Sequence, residues 1–126
     1  MFFGDSITAG GDASGISNTA PFTPRWSDIV RDVLAAKYPS AKINFTNTAV
    51  AGKETNWAIE EVNGRVNAYK PDLLILAFGM NDGSKTPEEF VKNTKAIIDE
   101  VLAANPDCEI AVISTMLPHE ETTYYK

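Results

Sequence analysis

The apolar positions of the chain fall into short runs separated by spaced stripes. Met1-Phe2-Phe3 is the first run, and it leads straight into Gly4-Asp5-Ser6-Ile7-Thr8-Ala9-Gly10. Over residues 24–38 the pattern changes. Trp26, Ile29, Val30, Val33 and Leu34 recur every three or four positions, which predicts a helix with those five on its buried face. Thr23 stands where a cap belongs, Pro24 suits the first helical position, and Pro39 follows the end. Ile43, Phe45 and the stretch to Val50 predict a second strand. Ile59, Val62, Val66 and Tyr69 mark one side of a helix over about 55–69, stopped by Pro71. Leu73 to Phe78 are continuously apolar, as in a strand buried on both faces.

The next helix is announced by Thr86-Pro87-Glu88-Glu89. Thr86 can cap, Pro87 fits the first turn, and Glu89 can reach back to close a capping box. Phe90, Thr94, Ile97, Ile98, Val101 and Leu102 form its inner face, and Asn105-Pro106 ends it. Residues 109–115 predict a fourth strand. Strands alternating with helices imply a parallel sheet covered on both faces, with right-handed crossovers. The expected fold class is therefore an α/β sandwich of three layers with four strands.

Composition narrows the partners. The 126 residues are 44% hydrophobic, enough for one domain with its own core. The net charge is -6 and no Lys/Arg cluster occurs, which argues against nucleic acid and anionic membrane as partners. No run approaches the roughly 18 apolar residues of a membrane span. Cys108 is the single cysteine, so no internal disulfide can form and the redox compartment stays open. No signal peptide is visible, and both a cytoplasmic and a secreted location fit.

The chemistry lies in the segments that follow the strands. Ligands of open parallel sheets bind at the carboxyl ends of the strands. Ser6 follows the first strand, Gly52 the second, Asn81 the third and His119 the fourth, so all four belong to one rim. A serine hydroxyl on a sharp turn after a strand is a typical nucleophile, provided a base takes its proton. Acyl transfer also needs donors fixed where the oxyanion forms. Gly52 offers an unshielded N–H, and Asn81 offers an uncharged amide. Asp5 and Asp82 read as braces of their turns. Trp26 and Trp57 read as packing residues, with a saccharide platform as the alternative for Trp57.

Gly4-Asp5-Ser6, the isolated Gly52 of Ala51-Gly52-Lys53, and Gly79-Met80-Asn81-Asp82 resemble the first three blocks of the GDSL-type, or SGNH, hydrolases in order and separation. The resemblance runs from residue 2 to about 118. It implies a flavodoxin-like sheet in strand order 2-1-3-4-5, with Ser6 as nucleophile. It also implies the Ser6 N–H, the Gly52 N–H and the Asn81 amide as the oxyanion hole, and no metal or organic cofactor.

The departure from the family is at the fourth block. That block is an aspartate, two residues and the base histidine, and this chain contains no Asp-x-x-His. Its one histidine, His119, follows the fourth strand and matches the wrong block, so it is read as a substrate-contacting or solvent-exposed residue. The expectation is a single domain over 1–126, incomplete at its C-terminus, with the fifth strand and final helix missing. The fourth strand should then be covered by further chain or by another chain. The function implied is an esterase for small acyl groups, with acetylated carbohydrates as the expected substrates. A lysophospholipase or thioesterase of the same family, and a non-catalytic carbohydrate-binding module, are the alternatives.

Overall fold

A computed structural model describes residues 1–11 and 13–115 of the chain. Three strands form one parallel sheet: β1 (Phe2–Gly4), β2 (Leu73–Ala77) and β3 (Glu109–Val112), in the order β1-β2-β3. The helices are α1 (Ser6–Ala9), α2 (Trp26–Lys37), α3 (Thr55–Arg65) and α4 (Pro87–Ala104), with a 3-10 turn at Asn67–Tyr69. The α/β class expected from the alternating pattern is the one observed. No helix among the described residues is long and apolar enough to cross a membrane.

The strand count is lower than the sequence pattern predicts. The stretch at 43–50 runs beside β1 as a parallel neighbour but forms a bridge, Phe2 to Asn47, rather than a strand. Three backbone bonds hold it there: Phe2 N–H to Thr46 O (2.8 Å), Thr48 N–H to Phe2 O (3.0 Å) and Val50 N–H to Gly4 O (3.0 Å). Asn47 ties this segment to its neighbours: its Oδ1 accepts from Ala49 N–H, and its Nδ2 donates to Thr8 O and Ser27 Oγ. The spatial order is still segment 43–50, β1, β2, β3, which is the expected 2-1-3-4 arrangement. The fifth strand and final helix that the resemblance implies are not among the described residues.

Alternation along the strands separates two faces. Phe3, Leu74 and Leu76 point to one side, where Ala58, Val62, Ile97 and Val101 of α3 and α4 complete a fully buried core. Phe3 meets Phe78 edge to face at 5.0 Å. The capping box at Thr86 forms as the sequence implies, with Thr86 Oγ1 accepting from Glu89 N–H and Glu89 Oε2 accepting from Thr86 N–H.

The opposite face carries α2, where Phe2 meets Trp26 edge to face at 5.3 Å. Here the periodicity overstates burial. Ile29 and Val33, both expected on the inner face of α2, are 46% and 58% exposed, and the buried residue of this helix is Ser27. Among the described residues this face has one helix where the other has two, so part of its apolar surface faces outward. The helix begins at Trp26, and Thr23 is not its cap: Arg25 holds the cap position without a side-chain bond. At the far edge of the sheet, Val112 and Ile113 of β3 and its continuation are also exposed.

Leu74→Ala should cost about 2–5 kcal/mol in urea unfolding followed by tryptophan fluorescence, because its side chain is fully enclosed. Val33→Ala should stay within about 0.5 kcal/mol of the parent. Equal losses at the two positions would show that the α2 face is as well packed as the core.

Candidate active site

The site grows from the carboxyl end of β1. Gly4 O accepts from Val50 N–H on one side, and Asp5 N–H donates to Ala77 O (3.3 Å) on the other. The backbone is crowded here. A Cβ on Gly4 would lie 2.3 Å from Ala77 O and 2.6 Å from Thr8 Oγ1, so only glycine lets the chain turn at this place. Asp5 then caps the one-turn helix α1, its Oδ1 accepting from Ile7 N–H at 3.0 Å. The carboxylate is 3% exposed and acts as the brace the sequence suggested.

Ser6 is the first residue of α1. Its carbonyl accepts from the N–H groups of Gly10 and Gly11. Its hydroxyl has no hydrogen-bond partner among the described residues, and its N–H, one of the unpaired donors at a helix start, has none either. The nucleophile candidate is thus presented at the rim rather than tied into the turn.

Gly52 lies in the turn before α3 with φ +73°, in the left-handed region. A Cβ there would meet nothing within 4 Å, so the requirement for glycine is conformational and not steric. The Gly52 N–H also lacks an acceptor among the described residues. Asn81 comes from the loop after β2, and its Nδ2 donates to Lys53 O at 2.9 Å. A primary amide nitrogen carries two hydrogens. One is used on Lys53, and the other has no acceptor among the described residues. The structure therefore brings Asn81 against the residue next to Gly52, and both flank the end of β1 that carries Ser6.

A set of charges lies behind the two donor loops, and the sequence reading saw only part of it. Asp82, 5% exposed, accepts from Thr55 N–H (3.0 Å) and Thr55 Oγ1 (2.5 Å) through Oδ1. Lys85 Nζ bonds Glu54 and stands 3.5 Å from Asp82 Oδ1. Burial works against the charged form of Lys85, but the bond to Glu54 and the nearby Asp82 outweigh it and raise its pKa. The reading of Asp82 as a loop brace agrees with this; Glu54, Thr55 and Lys85 carried no recognisable motif.

Trp57 packs against Phe3 at 5.9 Å, with Lys53 Nζ and Arg65 Cζ 5.4 and 5.0 Å from its ring centre. It packs against the core as a partly buried residue. His119 lies outside the described residues. An apolar cavity of about 460 Å³ opens beside Asp5 and Ile7, lined also by Trp26, Phe78 and Ile113. A cavity of about 510 Å³ lies at the amino ends of the strands, by Met1, Asp72 and Leu73, away from every candidate residue. Among the described residues no group of three His, Cys, Asp or Glu side chains could hold a metal ion.

The model of the GDSL-like lipase/acylhydrolase family matches residues 2–126, and the chain belongs to that family. No curated protein matches it. Among solved structures, a catalytic mutant of Axe2, an acetylxylan esterase from Geobacillus stearothermophilus, superposes with a TM-score of 0.70 at 21% identity, over 88% of this chain and 56% of that one. TesA superposes with a TM-score of 0.74 at 19% identity, over 98% and 64%. LAE5, an alpha/beta hydrolase from the metagenome of Lake Arreo, Spain, gives 0.68 at 20%, over 98% and 64%. These likenesses establish the fold, and the chain spans less than two thirds of each of those proteins. Two of the Axe2 structures are catalytic mutants, one at an aspartate and one at a histidine three residues further on.

If the conformation of Gly52 is the constraint, Gly52→Ala should destabilise the chain by about 1–2 kcal/mol. Gly52→Asn should cost less, because asparagine tolerates the left-handed region. Denaturant melts of the two variants decide this, and an alanine variant as stable as the parent would contradict the turn geometry.

Proposed function

We propose that the chain is a serine esterase acting on small acyl esters, chiefly acetyl esters of carbohydrates, through an acyl-enzyme on Ser6. The observation that carries this reading is the grouping at the end of β1: a Ser6 hydroxyl, N–H groups on Ser6 and Gly52, and the second hydrogen of the Asn81 amide, all unengaged among the described residues. In the reaction, Ser6 Oγ attacks the acyl carbon while a base takes its proton. The oxyanion is held by the three donors. The intermediate collapses, the alcohol leaves with the proton from the base, and water repeats the attack to free the acid.

The base is the part these residues do not supply. The chain has no Asp-x-x-His. In this reading the base comes from such a block on further chain or a second polypeptide, as the catalytic aspartate and histidine of Axe2 suggest. The same segment would cover the exposed Val112 and Ile113 edge of β3. In this reading His119 is not the base. Acetylated saccharide is favoured by the likeness to an acetylxylan esterase. One observation favours a second reading, an acylhydrolase for longer chains: the apolar cavity beside Ile7 is large enough for more than an acetyl group.

Activated esters of increasing acyl length, together with acetylated xylooligosaccharides, separate the two readings. The 126-residue chain should release acetate slowly, since loss of a triad member leaves only residual catalysis. That rate should vanish in Ser6→Ala, persist in His119→Ala, and fall with acyl length. A rate indifferent to Ser6 would overturn the esterase mechanism, and a preference for long chains would replace the acetyl assignment. Light scattering on the same sample should show self-association through the uncovered β3 edge; a clean monomer would argue against a covering segment.

A further inference from the structure

We propose that Asp82 is a positioning residue that sets the distance between the two oxyanion donors, Gly52 and Asn81, by latching the loops that carry them. The proposal rests on the reading of those donors given above.

Three consecutive residues after Gly52 are each bonded to the loop that carries Asn81. Lys53 O accepts from Asn81 Nδ2, Glu54 pairs with Lys85, and Thr55 donates twice to Asp82. Nothing of this kind is needed to hold the sheet, whose strands pair through their own ladders. The carboxylate is buried, and a buried charge is costly unless bonded and paired. Its Oδ1 takes both donors of Thr55 with Lys85 close by, while its Oδ2 is buried with no hydrogen-bond partner among the described residues. Thr55 is in turn held from both sides: its hydroxyl donates to Asp82 and accepts from Asn93 Nδ2 of α4 at 3.0 Å.

The local chain explains why the bond must come from elsewhere. Glu54 holds the cap position of α3 but makes no side-chain cap bond. The first N–H of that helix is therefore satisfied by Asp82, across the gap between the loops, and a negative charge there suits the positive end of the helix. One side chain thus caps α3 and fixes the Asn81 loop to it. A purely structural cap would stabilise α3 without controlling Asn81, and this difference can be measured.

The test uses the 126-residue chain and does not need it to be a fast enzyme. Amide NMR and hydrogen exchange are recorded for the parent, Asp82→Ala, Asp82→Asn and Thr55→Val. In the parent, one Asn81 side-chain hydrogen is bonded to Lys53 O, so its two amide resonances should be well separated. Asp82→Ala should draw them together and speed exchange of the Thr55 N–H by about tenfold or more, with Leu74 and Leu76 in β2 still protected. Asp82→Asn keeps an acceptor for Thr55 and should restore most of the separation; it also serves if the alanine variant fails to fold. Thr55→Val should lie between them. Unchanged Asn81 resonances in Asp82→Ala, or in Thr55→Val should the former not fold, would overturn the proposal. So would an equal loss of protection in β2, which would mark a general loss of stability. In parallel, the Ser6-dependent ester rate of Asp82→Ala should fall about 10- to 100-fold through kcat with KM little changed, less than the roughly 100- to 1000-fold of removing a donor. If Ser6→Ala shows no Ser6-dependent rate to lose, the esterase reading fails, and the Asn81 resonances still decide whether Asp82 is the latch.

Discussion

The site depends on the crowding at Gly4. β1 is only three residues long, yet it is bonded on both sides at its carboxyl end, to Val50 through the Gly4 carbonyl and to Ala77 through the Asp5 N–H. Those bonds bring three chain segments to one point. A Cβ at residue 4 would strike Ala77 O and Thr8 Oγ1, so the strands and α1 can approach this closely only because residue 4 has no side chain. From that point the three segments diverge at once into the Ser6 turn, the Gly52 turn and the Asn81 loop. A parallel sheet makes such a meeting possible because all its strands end on the same side. The donors are then refined by bonds that have nothing to do with the sheet.

Those later bonds use charge in a buried place, which is stable only when its partners are fixed. Asp82, Thr55, Lys85 and Glu54 bond one another across two loops, with Asn93 anchoring them to α4. The hydrophobic core lies directly beneath, where Val62, Val66, Leu74 and Val101 are fully enclosed. The packed face of the sheet therefore carries the Gly52 turn and the Asn81 loop, while the face under α2 stays partly open. The apolar cavity by Ile7 and Trp26 and the exposed edge of β3 lie toward that open side.

Much of this was legible in the sequence where local chemistry decides the outcome. The Thr86-Pro87-Glu88-Glu89 box formed as read, because its bonds lie within four residues. The run from Leu73 to Phe78 gave β2 directly, since a strand covered on both faces must be apolar at every position. Reading failed where distant partners decide. The segment at 43–50 pairs with β1 through a bridge, and its Asn47 bonds Thr8 and Ser27, far away in sequence. Ile29 and Val33 carry a helical period but lack a neighbouring layer among the described residues. The motif residues Ser6, Gly52 and Asn81 could be placed on one rim from strand order alone, whereas the Thr55 and Lys85 contacts to Asp82 need the folded loops. His119 lies outside the described residues, so its part in the site was not decided by the fold.

The central claim is that Ser6, Gly52 and Asn81 act on one acyl group. The most direct test is a crystal structure of the chain after long exposure to an excess of a small activated alkylphosphonate, which leaves a tetrahedral phosphorus on a reactive serine. Phosphorus should be bonded to Ser6 Oγ, with its unesterified oxygen within hydrogen-bond distance of the Ser6 and Gly52 N–H groups and Asn81 Nδ2. A label on another residue, or a phosphoryl oxygen turned away from Gly52 and Asn81, would contradict the account.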